Sequence, residues 1–174
     1  MSSRRLSYAA LMVAAGLTGV YAETIPNFEI LTLVVFCSGV LLGARDGALV
    51  GAVTELVYSV LNPYGPAHPL VTLGQVAGIA LAGAAGGAIA GVGVSRHSFP
   101  VRAVTLALTG AAITVVFDLL TNVMAGLVYG QMRAVLIGGI PFSLWHIGTN
   151  VALFALIGSP LLLVCARYRS RLSS

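Results

Sequence analysis

Six side chains able to transfer protons or to make strong hydrogen bonds interrupt otherwise apolar stretches: Glu55, Gln75, Asp118, Asn122, His146 and Asn150. Asp118 and Asn122 are four apart, as are His146 and Asn150, so on helices each pair shares one face. Tyr129 continues the Asn122 stripe seven residues on, and Phe142 and Trp145 flank His146. Two chemistries fit these types. His146 with Asp118 has the makings of an acid–base pair, or the amides and carboxylates orient a planar ligand between aromatic walls that include Tyr64. The first reading lacks a serine or cysteine nucleophile next to His146, an HExxH motif and a twin-carboxylate motif, and there is no GxxxxGK[ST] loop to bind ATP. The expectation is a binding site, with no catalytic residue, cofactor or metal.

The elements that must position these groups are apolar. A hydrophobic fraction of 58%, 8% charged residues and a mean hydropathy of +0.99 lie outside the range of soluble domains. Continuous runs such as Ile30 to Leu42 and Val101 to Val116 exclude the in–out alternation of a β-barrel, which leaves an all-α membrane bundle. At roughly 20 residues per crossing, 174 residues hold at most about six spans and no separate soluble domain. Punctuation by Pro, Gly and Arg places them at 6–22, 29–42, 47–61, 69–94, 101–129 and 141–166, with the second and third short. Charged side chains cost about 2.5–3.5 kcal/mol at the centre of such a span, so they face protein or water.

Six spans put both termini on one side. Eight of the nine arginines then fall on that side: Arg4, Arg5, Arg45, Arg96, Arg102, Arg167, Arg169 and Arg171, with Arg133 opposite. By the positive-inside rule the arginine-rich side is cytoplasmic, which places the chain in the cytoplasmic (inner) membrane as a multi-pass protein. All six polar groups then lie from mid-membrane outward, and the cytoplasmic halves hold only hydroxyls. Scattered helix–helix hydrogen bonds would not favour one leaflet, whereas a pocket open to the outside would. The net charge of +4 comes from arginines that flank spans instead of forming a stripe, which argues against nucleic acid.

The outer connections AETIPNF, NPYGPAHP and GQMR are rich in proline, and Pro26, Pro63, Pro66 and Pro69 stiffen them or simply mark turns. Trp145 and Tyr129 fit two roles, interfacial anchors or pocket walls. Arg4 and Arg5 ahead of an apolar stretch ending Val20-Tyr21-Ala22 fit either a first span or a cleaved signal peptide. Small residues recur at intervals of four, as Ala10 and Ala14 in the first span and Gly83, Gly87 and Gly91 in the fourth. Such faces allow close helix approach, within the protein for the glycines and toward a partner for the alanines. Cys37 and Cys165 sit in apolar runs and read as buried thiols.

The alanine-rich first helix, PNFEILTLVVFCSGVLLGARDGALVGAVTELVYSVLNPYG, FDLLTN in the fifth span and IPFSLWHIGTN in the sixth together resemble the substrate-binding S component of energy-coupling-factor (ECF) vitamin transporters. The resemblance covers nearly the whole chain. It implies capture of a vitamin or related micronutrient from outside, using the outer halves of the last three helices and the outer loops. It also implies docking of the first helix on a transmembrane coupling subunit driven by two cytoplasmic ATPases. Carried over to this chain, Ala10 and Ala14 dock the partner. Gln75, Asp118, Asn122, His146 and Asn150 form the pocket with Asn27, Asn62 and Tyr64 of the loops, while Glu29 and Glu55 come from helices that contribute less directly. Tyr129 and Trp145, by their own spacing rather than by the resemblance, are added to the expected site as candidate apolar walls. No motif names the vitamin; the expectation leans toward cobalamin or a cobalamin precursor. The competing expectation is an autonomous proton-coupled carrier titrating Glu55 and Asp118.

Overall fold

A helix that is apolar on every side has to be buried on every side. The stretch Leu31–Leu42 meets that condition, and all its residues but Val34 are buried. The computed structural model describes residues 2–22, 25 and 27–172 and wraps the rest of an all-α bundle around this short helix. The helices are α1 (Ser3–Tyr21), α2 (Leu31–Leu42), α3 (Ala44–Val60), α4 (Pro69–Gly91), α5 (Phe99–Tyr129) and α6 (Met132–Leu172). A single 3-10 turn, Val94–Arg96, precedes α5, and a π-helical segment, Phe154–Gly158, interrupts α6. Pro26 and the rest of the AETIPNF segment at Glu23 and Thr24 lie outside the described residues.

The helices run alternately up and down, with α2 packed against α1, α3, α4 and α6. Its contact with α3 and α4 is backbone to backbone. A methyl group at Gly39 would strike the carbonyl of Gly83, one at Gly83 the carbonyl of Gly47, and one at Gly86 the carbonyl of Phe36. The glycine repeat of α4 therefore packs within the protein at Gly83 and Gly87, whereas Gly91 faces open space. Phe36, Val35, Val40, Leu106, Phe154 and Leu162 fill the core around this junction, and Phe36 meets Phe154 edge-on at 5.2 Å. Cys37 is buried in the same core, with Cys165 packed against it.

Several element boundaries differ from those read in the sequence. Gly43 alone joins α2 to α3, at φ 94, a backbone conformation that glycine adopts without steric cost. The last helix starts at Met132 rather than Pro141, and Pro141 lies inside it. The pyrrolidine removes one backbone donor, but Pro141 is on an exposed face where Gly138, with open space beside it, leaves room for local adjustment. The connection from α5 shrinks to Gly130 and Gln131, and Arg133 enters the first turn of α6.

One end of the bundle collects the arginines. Arg5 pairs with Asp46 at 2.6 Å and also donates to the Leu42 carbonyl, closing the end of α2 onto α1 and α3. Arg4 donates to the Arg171 carbonyl at 3.3 Å, Arg169 to the Val40 carbonyl at 3.4 Å, and Arg102 to Ser159 Oγ at 3.1 Å. The start of α1 and the end of α6 thus meet at this end. Three helices, α4, α5 and α6, are long and apolar enough to cross a membrane. Their outward side chains, including Leu108, Leu119, Leu127, Leu144 and Leu156, are exposed and suit contact with lipid.

Candidate functional site

Opposite the arginines, the C-terminal turns of α1 and α3 and the N-terminal turns of α2 and α4 leave a cavity of about 220 Å³. Val20, Leu31 and Ile79 form its apolar wall, and Tyr58 and Phe117 add aromatic surface. Its polar lining is Asn27, Glu29, Thr32, Glu55, Asn62, Gln75 and His146.

Each polar group is held by a local device. Glu29 precedes α2 and accepts from the Thr32 amide at 3.0 Å and the Thr32 hydroxyl at 2.6 Å. That carboxylate supplies the cap that Ile30 cannot, at the helix end where negative charge is favoured. On α3, Glu55 and Tyr58 face the cavity, and Asn62, just past the helix end, continues their spacing into it. Ser59 Oγ lies 3.3 Å from both Glu55 Oε1 and Gln75 Oε1, and its single proton serves one of them at a time. Glu55 is only 3% exposed.

His146 enters from α6. Its Nδ1 lies 2.9 Å from Asp118 Oδ1, its Nε2 lies 3.8 Å from Glu29 Oε1, and its ring meets Phe117 edge-on at 5.9 Å. With Nδ1 against Asp118, Nε2 is the nitrogen that faces the cavity, on the side of Glu29. One turn further, the Thr149 hydroxyl lies 2.8 Å from the Asn27 carbonyl and 2.9 Å from that of His146. Asn27 adopts φ 60, so this contact ties a left-handed turn in the loop ahead of α2 to the helix carrying His146. Among the described residues, buried Asp118 Oδ2, Thr121 Oγ1, His146 Nε2 and Asn150 Oδ1 have no hydrogen-bond partner.

The side-chain groups anticipated from sequence fall in four places. Asn27, Asn62, Gln75 and His146 line the cavity. Asp118 stands behind His146 and also lines a separate groove of about 270 Å³ between α5 and α6, together with Asn122, Leu136, Ile140 and Ser143. Asn150 is buried at 1% exposure without reaching the cavity wall. Tyr64, Tyr129 and Trp145 are 97%, 66% and 52% exposed and lie away from the cavity. Glu29 and Glu55, expected to contribute less directly, both line it, as do Thr32, Tyr58 and Phe117, which the sequence reading did not single out as ligand groups. The signal for Tyr58 was present in its spacing, three after Glu55 and four before Asn62. Ala10 and Ala14 are exposed on α1.

Toward the arginine end the polar lining stops. Ser38, Thr54 and Thr114 are buried there or at mid-bundle, and each hydroxyl donates to a backbone carbonyl one turn back on its own helix, at 2.6, 2.7 and 2.8 Å. Beyond them lie the glycine junction and the apolar core. The arrangement can hold a small polar molecule at one end of the bundle but offers it no polar route to the other. Comparison with protein-family models, curated proteins and solved structures found no match, so the reading of this site rests on its own geometry and on the sequence.

Proposed function

We propose that the chain is the substrate-binding S component of an ECF-type importer for a vitamin or related micronutrient, and that the cavity lined by Glu55, Gln75 and His146 is its ligand site. The observation that carries this reading is a polar cavity at one end of an apolar bundle whose other half is closed by glycine contacts and aliphatic packing. In this reading the bundle crosses the cytoplasmic membrane six times, with the arginine-rich end inside and the cavity outside. The 12-residue α2 is about 18 Å long, so it crosses as a core element sheathed by its neighbours rather than as a lipid-facing span.

A ligand bound there has no inward exit, so release requires the subunit to be moved as a body by a coupling subunit and two ATPases. The exposed Ala10 and Ala14 face of α1 supports docking on such a partner. A cavity of about 220 Å³ supports a compact ligand, a single-ring micronutrient or a cobalamin building block.

Mass spectrometry of small molecules copurifying with the chain in lipid nanodiscs tests the reading. A micronutrient-sized ligand is expected, displaced when Glu55 and His146 are both replaced by alanine; a ligand retained by that variant, or none from any preparation, would sink it. The alternative of a proton-coupled carrier has buried Glu55 and half-buried Asp118 in its favour. It predicts pH-driven uptake by the chain alone in proteoliposomes, and the closed inner half speaks against it.

A further inference from the structure

The cavity holds more carboxyl groups than its own cationic side chains can pair. Glu29 and Glu55 line it and Asp118 stands directly behind His146. A fully protonated His146 would neutralise one of these three carboxylates. Glu55 is the most isolated: it is 3% exposed, its hydrogen bond is to the neutral Ser59, and no cationic side chain pairs with it among the described residues. A buried carboxyl without a counter-charge either keeps its proton or gains a cation as partner, so Glu55 is a position that a bound cation would satisfy. His146 Nε2 adds a second observation: it is buried, borders the same cavity and has no partner within hydrogen-bond distance, with Glu29 Oε1 at 3.8 Å its nearest carboxylate.

We propose that the ligand is a small organic cation, a protonated or quaternary nitrogen carried on one aromatic or heteroaromatic ring, with Glu55 as its counter-ion. This rests on the binding-subunit reading above and narrows it. The ring is held against Tyr58 and Phe117, whose faces attract a cation as well as packing an aromatic group. His146 Nε2 and the side chains of Gln75 and Asn62 take the ligand's remaining polar groups. A bare divalent metal fits less well, because among the described residues no three His, Cys, Asp or Glu side chains come together closely enough to hold one.

Three probes of one shape and different charge test the assignment: benzamidine, which is cationic at neutral pH, benzamide, which is neutral, and benzoate. Binding to the full chain in nanodiscs is measured by calorimetry. Benzamidine is expected to bind at least about tenfold more tightly than benzamide, as a charge-assisted contact requires, with benzoate weakest. Glu55→Gln is expected to erase the benzamidine preference while Glu55→Asp keeps part of it, and the charge series on the unaltered chain stands even if Glu55→Gln does not fold. Equal or tighter binding of benzamide or benzoate overturns the cationic assignment and leaves the cavity as a ligand site. Binding of none of the three also overturns it. If a neutral or anionic molecule then copurifies, the binding-subunit reading survives without the cation; if nothing copurifies, both fall.

Discussion

Asp118 and His146, 28 residues apart, meet at 2.9 Å between Oδ1 and Nδ1, and through this contact a carboxylate outside the cavity sets which ring nitrogen faces into it. Asp118→Ala leaves a buried N–H without its acceptor, which costs about 1–3 kcal/mol. The variant is therefore expected to unfold at lower denaturant and to bind its ligand more weakly, because the imidazole loses the partner that orients it. Asp118→Asn keeps an oxygen acceptor and should lose less of both. Calorimetry and denaturant titration of the two variants check this, and equal effects from both would show that hydrogen-bond geometry is not what Asp118 contributes.

Three glycines at the same spacing on α4 should respond differently to one added methyl. At Gly83 the new Cβ meets the Gly47 carbonyl and at Gly87 it meets Ala44, whereas at Gly91 nothing lies within 4 Å. Overpacking a contact of this kind costs about 1–3 kcal/mol or more, since backbone cannot rotate aside as a side chain can. Gly83→Ala and Gly87→Ala are expected to lower the unfolding temperature clearly, and Gly91→Ala to leave it unchanged or raise it slightly. Parallel thermal scans in one detergent decide the matter; a uniform response would mean that the α3–α4 approach is looser than described.

What the sequence made legible follows from range. The all-α architecture was readable because it depends on composition and unbroken apolar runs, and the clustering of Arg4, Arg5, Arg102, Arg169 and Arg171 at one end follows from alternating helix direction. The site was only partly readable. Spacing four residues apart showed that Asp118 and Asn122 share a helix side, but not that this side divides between His146 and a groove facing α6. Glu29 was legible as a polar residue near a helix start, yet its approach to His146 depends on a loop fold that brings residues 117 positions apart together. Pro141 misled the reading for a local reason: proline usually marks a helix start, and only tertiary surroundings that tolerate its missing donor let α6 run through it.

The loop ahead of α2 should behave as a tethered rim. The Thr149 hydroxyl reaches the Asn27 carbonyl at 2.8 Å, while Tyr21 donates to the Leu61 carbonyl at 3.2 Å and packs edge-on against Tyr58. Thr149→Val keeps the shape of the side chain and removes the hydroxyl, a loss of about 1 kcal/mol. Because the contact holds the loop rather than the core, ligand dissociation is expected to speed up more than global stability falls. Stopped-flow release of the copurifying ligand and thermal unfolding separate the two, and a drop in stability with unchanged release would place Thr149 in packing alone.

The exposed alanines of α1 give the docking proposal its own test. Ala10 and Ala14 lie on the outer surface with Leu6 and Leu11, whereas Gly16 and Val20 of the same helix are buried against the bundle. Leucine at both alanines adds bulk outside the protein and meets no neighbour within it, so its effect on the fold should stay within about 0.5 kcal/mol, as for surface substitutions generally. Ligand affinity is then expected to remain within about twofold of the unaltered chain, since 0.5 kcal/mol corresponds to little more than that. Uptake in cells should fall to background, because small-residue faces work by letting backbones approach and leucine keeps them apart. Substitution by serine, which is nearly as small, should restore uptake. Normal uptake by the leucine variant would mean that another face of the bundle meets the coupling subunit, or that the chain needs no such partner; loss of binding together with uptake would mean that α1 supports the cavity rather than the docking.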